Sequence, residues 1–144
     1  MKYYIAYGSN LNKGQMAYRC PGANAVGTGT LEGWRLTFRG SPGASFATVE
    51  PCEGHSVPVG IWEIDREHEA SLDIYEGWPD LYYKTDVTVV TPGGDVTGMI
   101  YIMNEGREIA CPSLSYCRTV SDGYDDFGID KAVLAEALSL CARQ

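Results

Sequence analysis

Lys2-Tyr3-Tyr4-Ile5-Ala6-Tyr7-Gly8-Ser9-Asn10-Leu11 carries an apolar run into a glycine break. Residues 2–7, rich in Tyr and Ile, read as a buried strand. Gly8-Ser9-Asn10 stops the strand, and Ser9 or Asn10 is placed to cap a short helix over about residues 11–19. In a strand–turn–helix of this kind the leading N–H groups have no partner inside the helix, and the helix dipole adds positive potential. Gly8 has no Cβ, so a ligand can come close to the backbone. The turn could cradle a carboxylate or a developing oxyanion. Taken alone it is more often an ordinary capped turn.

Outward from this point the chain is mostly extended, from Val26 to Val90. Residues 34–39 alternate apolar and polar as a half-buried strand does. Residues 45–50 and 57–64 read as further strands. Residues 83–91 and 96–103 form a hairpin across Thr91-Pro92-Gly93-Gly94-Asp95. A helix runs from Asp65, its cap, to Glu76, with Gly77 as a left-handed stop. Residues 130–142 form an amphipathic helix capped by Asp130, with Val133, Leu134, Ala137, Leu138 and Cys141 on one face. A weaker helix from Ser115 to about Phe127 is expected to be interrupted by Gly123. About six short strands and few helices predict an α+β fold, a small mixed sheet closed or nearly closed into a barrel, in a single domain spanning residues 1–144.

Nineteen acidic residues against eleven basic give a net charge of −8. That balance, with no basic cluster, argues against nucleic acid as a partner. No apolar run approaches the roughly 20 residues of a membrane helix. The N-terminus turns polar too soon for a signal peptide, so a cytoplasmic location is expected. The oligomeric state stays open. Five cysteines, with no Cys-x-x-Cys pair and only His55 and His68 beside them, build no zinc site. They are expected to be free thiols, buried or partly buried, in a reducing compartment.

Leu72-Asp73-Ile74-Tyr75-Glu76-Gly77-Trp78 is the second segment with chemical potential. The carbonyl end of a helix disfavours a carboxylate. Tyr75 and Trp78 could desolvate Glu76, and Asp73 adds like charge on the same side. All three effects raise a pKa toward the range useful for proton transfer. The same spacing fits a solvated acidic stripe of Asp65, Glu69, Asp73 and Glu76. Most of the ten tyrosines and three tryptophans should serve the core or its rim, with a few as pocket walls. Tyr124-Asp125-Asp126 reads as surface charge, for want of a third ligand.

Together these segments resemble the γ-glutamylcyclotransferase superfamily, including its AIG2-like members. Tyr7-Gly8-Ser9-Asn10-Leu11 is similar to the family's N-terminal signature. The likeness continues through Gln15-Met16, Arg19-Cys20-Pro21, Ala47-Thr48-Val49-Glu50-Pro51 and Val59-Gly60-Ile61-Trp62-Glu63-Ile64. Leu72 to Gly77 resembles the segment that ends in the catalytic Glu-Gly, and Tyr83 matches the tyrosine that follows. Pro112-Ser113 to Tyr116 and Gly123-Tyr124 to Gly128-Ile129 resemble the C-terminal loop and helix. The resemblance implies a small β-barrel with flanking helices, which converts a γ-glutamyl amino acid or amine to 5-oxoproline and frees the amino acid or amine. It assigns Glu76 as the catalytic residue and Tyr7, Gly8, Ser9, Asn10, Leu11, Tyr83 and Tyr116 to substrate binding. No metal or cofactor is implied, and the expected partner is the small γ-glutamyl substrate. Two other readings compete. One is a carboxylate-binding module on the same scaffold without turnover, the other an interaction domain built on exposed aromatics.

Overall fold

The hairpin at the centre of the fold is longer than its sequence punctuation suggests. The computed structural model describes residues 1–144. In it β2 (Asn24–Ser41) and β3 (Ala44–Ile64) run antiparallel from Asn24↔Glu63 to Ser41↔Ala44. Pro51, Gly54 and Pro58 fall inside β3 without ending it. Register shifts between Ala25 and Gly27 and between Glu32 and Trp34 absorb the irregularity and bend the pair. The runs 45–50 and 57–64, expected as separate strands, are therefore one. Residues 34–39 are the second half of another. Five strands, not six, result.

β1 (Lys2–Ala6) lies against the end of β3, from Lys2↔Ile64 to Ala6↔Gly60. β4 (Tyr82–Thr91) and β5 (Gly94–Met103) form the expected hairpin. β4 meets β2 at Thr30↔Val90, and β5 meets β1 in parallel at Tyr4↔Met99. The order β1-β3-β2-β4-β5 closes on itself, which leaves no free edge. This is the expected α+β class, a small mixed barrel with flanking helices.

A single 3₁₀ turn, Ser9–Leu11, precedes α1 (Lys13–Arg19). The cap is Asn12, whose side chain accepts from the Gln15 N–H at 3.0 Å; Ser9 and Asn10 lie inside the turn instead. α2 (Arg66–Glu76) starts as expected at Asp65. Its side chain accepts from the His68 N–H at 2.9 Å, while its own N–H donates to His68 Nδ1 at 3.1 Å. Gly77, at φ 65°, ends the helix in the left-handed conformation.

α3 (Leu114–Phe127) runs through Gly123 without interruption. A Cβ at position 123 would lie 2.7 Å from both Leu11 Cβ and the Asn12 nitrogen. Glycine stands there for close packing and not as a break. α4 (Ala132–Ala142) has Lys131 at its cap position, and the Asp130 carboxylate accepts from the Ala132 N–H at 2.8 Å. Leu134, Ala137 and Cys141 are buried, on the expected face. One core joins Val120, Tyr124 and Leu134 of the helices to Ile5, Phe38 and Ile100 of the barrel.

The cysteines need a correction. Cys111 and Cys141 are disulfide-bonded, and Cys20, Cys52 and Cys117 are free. The buried face of α4 carries Cys141 against the loop after β5, a proximity that spacing along the chain cannot show. Such bonds persist in oxidising compartments, so the bridge does not favour the cytoplasmic expectation. No helix is long and apolar enough to cross a membrane.

Candidate active site

The chain leaves β1 at Ala6, and Tyr7, Gly8, Ser9 and Asn10 form one wall of a cleft with a volume of about 150 Å³. The end of α2 brings Tyr75 and Glu76 to it, and the β2–β3 hairpin adds Phe46 and Ala47. A Cβ on Gly8 would stand 3.2 Å from Ala47 Cβ and 3.4 Å from Tyr116 Oη, so glycine keeps the two walls together. The 3₁₀ turn uses the N–H of Leu11, bonded to the Gly8 carbonyl, and that of Asn12, bonded to the Ser9 carbonyl, both at 3.0 Å. The N–H groups of Ser9 and Asn10 lead the turn with no acceptor within it.

Side-chain hydrogen bonds fix these walls. Asn10 Nδ2 donates to Tyr4 Oη at 2.9 Å, and the Asn10 carbonyl accepts from Trp62 Nε1 at 2.9 Å. Tyr7 donates to the Tyr101 carbonyl at 2.6 Å and Tyr82 to the Ala47 carbonyl at 2.7 Å. Tyr116 Oη accepts from the Ala47 N–H at 3.1 Å. Tyr75 shares a 2.8 Å hydrogen bond with Ser9 Oγ, and its ring lies 3.5 Å beneath the Arg19 guanidinium. Arg19 is held in turn by Asn10 Oδ1 and, at 2.6 Å, by Gln15 Oε1.

Glu76 is the one ionisable carboxylate among the cleft residues. Burial pushes its pKa from 4.5 up to about 7, against the opposing charge of Arg19. Two of the causes expected from sequence are absent. Asp73 turns away, accepting from Tyr101 Oη at 2.6 Å and from Lys84 Nζ at 3.1 Å. Trp78 lies outside the cleft, with Lys84 Nζ 4.1 Å from its ring centroid. The acidic-stripe reading fails as well. Asp65 caps α2, Glu69 pairs with Lys2 and Lys84, and Asp73 with Lys84; Glu76 alone faces the cleft.

The sequence matches the family model described as γ-glutamyl cyclotransferase, AIG2-like, over residues 4–119. The chain belongs to that family. A human γ-glutamylcyclotransferase is 30% identical over 135 residues, covering 88% of this chain and 71% of the relative. A bovine γ-glutamylcyclotransferase is 28% identical with the same coverage. A solved γ-glutamyl cyclotransferase structure superposes with a TM-score of 0.85 at 27% identity, covering 97% of this chain and 87% of the other. The chain is an enzyme of the cyclotransferase type.

Of the residues that the likeness to γ-glutamylcyclotransferases singled out, Tyr7, Gly8, Ser9, Asn10, Glu76 and Tyr116 line this cleft. Leu11 does not. It is fully buried and supports the turn from below, against the positions of Gly60 and Gly123. Tyr83 does not either, and Tyr82 takes the place in the cleft. Neighbours on a strand point to opposite faces, and Tyr83 opens onto a separate depression beside Arg39, Glu50 and Arg107. The apolar pattern of Val87 and Val89 shares the parity of Tyr83. At this end of β4, however, the other face turns toward α2, as Lys84 shows by reaching Glu69 and Asp73. Sequence reading also passed over Tyr4, Phe46, Leu81 and Tyr101. The abundance of tyrosine was the available signal, since six of the ten line the cleft.

Proposed function

We propose that this enzyme cyclises a γ-glutamyl amino acid or γ-glutamyl amine to 5-oxoproline and releases the amino acid or amine, with Glu76 moving the protons. One observation carries the reading. A carboxyl group with a pKa near 7 shares an aromatic cleft with the leading N–H groups of a tight turn.

The substrate's α-amine attacks its own γ-carbonyl carbon, so the protein supplies no nucleophile. Ionised Glu76 takes a proton from the amine as the new C–N bond forms and negative charge collects on the carbonyl oxygen. Protonated Glu76 then gives that proton to the departing nitrogen as the old C–N bond breaks, and returns to the carboxylate. A group that titrates near neutrality does both. The N–H groups of Ser9 and Asn10 are suited to hold the substrate carboxylate or the charged oxygen. Tyr116, which accepts from Ala47, keeps its proton for an acceptor in the cleft. Its pKa is raised, chiefly by burial, so it stays a neutral donor. The close walls fold the substrate so that amine meets carbonyl, which lowers the entropic part of the barrier.

The test is a 5-oxoproline assay over γ-glutamyl dipeptides, γ-glutamyl amines and glutathione, with Glu76→Gln alongside. Wild type should form product from at least one substrate. The variant should lose at least about 100-fold in kcat, the scale of general acid–base catalysis, while still binding substrate. Turnover near the wild-type level in Glu76→Gln would sink the assignment.

A further inference from the structure

A γ-glutamyl conjugate has two ends, and the cleft treats them differently. Its inner walls are buried: Tyr4, Tyr7, Tyr82 and Tyr101 are each at most 6% exposed. The two most exposed cleft residues are aromatic, Phe46 and Tyr75, each 42% exposed, with Leu81 partly buried among the lining. The cleft as a whole, mouth included, has a volume of about 150 Å³, below the roughly 300 Å³ at which sites for drug-sized ligands begin. It therefore has room for little beyond the glutamyl moiety. The group that departs must lie at the mouth, against Phe46, Tyr75 and Leu81.

No Lys or Arg lines the cleft, and its one charged side chain is Glu76. Arg19 is the cation at hand, and it is engaged on several sides. Its guanidinium carbon lies over the Tyr75 ring, 3.5 Å from the centroid, and its N–H groups are bonded to Asn10 Oδ1 and Gln15 Oε1. Tyr75 is itself pinned by its hydrogen bond to Ser9 Oγ at 2.8 Å. A carboxylate on the leaving group would thus meet aromatic rings and the like charge of Glu76, with no free cation to pair it. An apolar leaving group would bury surface on those rings.

Resting on the cyclotransferase reading, we propose that Tyr75 sets leaving-group specificity: by covering Arg19 and walling the mouth, it selects γ-glutamyl conjugates of apolar amines over those of amino acids that carry a free carboxylate. The residue acts in part through Arg19, so its effect belongs to KM more than to kcat.

The experiment compares γ-glutamyl-2-phenylethylamine with γ-glutamylphenylalanine, which differ only in a carboxylate, in wild type, Tyr75→Phe and Tyr75→Ala. γ-Glutamylalanine and glutathione serve as further substrates. Wild type should favour the amine conjugate in kcat/KM by at least roughly tenfold. Tyr75→Phe keeps the ring on Arg19 and should keep the ratio. Tyr75→Ala uncovers the guanidinium and should narrow the ratio, mainly through a lower KM for γ-glutamylphenylalanine. A wild-type ratio at or below one would overturn the proposal without any variant being needed. A ratio unchanged in Tyr75→Ala would overturn the role of Tyr75. Product from γ-glutamylalanine or glutathione but from neither aromatic conjugate would overturn the specificity and leave the cyclotransferase reading standing. Absence of product from all four would remove that reading, and the proposal with it.

Discussion

A carboxyl group that titrates near 7 in the folded chain and near 4.5 outside it makes stability depend on pH. Between these values folded Glu76 keeps its proton and the unfolded chain has lost it, so stability falls as pH rises from about 4.5 to 7. Above 7 both states are ionised and the cost of the buried charge is complete. Glu76→Gln removes that cost. Its melting temperature should exceed that of wild type at pH 8, with a free-energy gap of up to about 3 kcal/mol, and the gap should close below pH 4.5. Thermal melts of both proteins across this range check it; a constant gap would show that burial does not raise the pKa. Activity has the opposite slope, because the attacking step needs the carboxylate. kcat/KM should rise through pH 7 on its acidic limb. The helix-end position of Glu76 was legible in the sequence, since Asp65 and Gly77 fix both ends of α2. Desolvation was legible among the causes of its pKa; that Asp73 and Trp78 take no part was not, because they find their partners through Lys84 on β4.

At the scale of elements, the contact of α3 with the 3₁₀ turn decides where the N–H groups of Ser9 and Asn10 point. Gly123 permits it. A Cβ there would press within 2.7 Å of Leu11 and Asn12. Gly123→Ala should therefore destabilise the protein by about 1–3 kcal/mol through overpacking, read as a lower denaturant midpoint at unchanged slope. It should also lower kcat/KM, because the turn must shift to make room. A variant as stable and active as wild type would show that the contact gives way freely. The sequence signalled the helix but read Gly123 as an interruption, since intrinsic propensity marks glycine as a breaker and cannot see a neighbour more than 100 residues away. The long strand β3 was divided for a related reason. Pro51, Gly54 and Pro58 are local stop signals, and only pairing with β2 carries β3 through them.

Over the whole molecule, the barrel closes without α4, and α4 is fastened to it by packing on β2 and by Cys111–Cys141. The bridge closes a segment with a sequence separation of 30 residues that contains α3. In the chain-entropy account a loop of this size contributes about 3.6 kcal/mol. Unreduced protein should alkylate at three thiols after denaturation, those of Cys20, Cys52 and Cys117. Cys141→Ser should melt several degrees lower. Five reactive thiols in unreduced protein would remove the bridge from the account.

The sequence by itself determined the strand–glycine–turn of residues 2–11, the capped helix ending at Glu76, the β4–β5 hairpin and the buried face of α4. Each is specified by neighbours a few residues apart, through periodicity, capping and turn chemistry. Tertiary structure alone decided that Tyr82 rather than Tyr83 enters the cleft, that Leu11 lies beneath it, that Tyr75 covers Arg19, and that Cys111 meets Cys141. Those outcomes depend on which face of a strand or helix is turned to a distant element. Closure of the barrel fixes that orientation, and no local pattern encodes it.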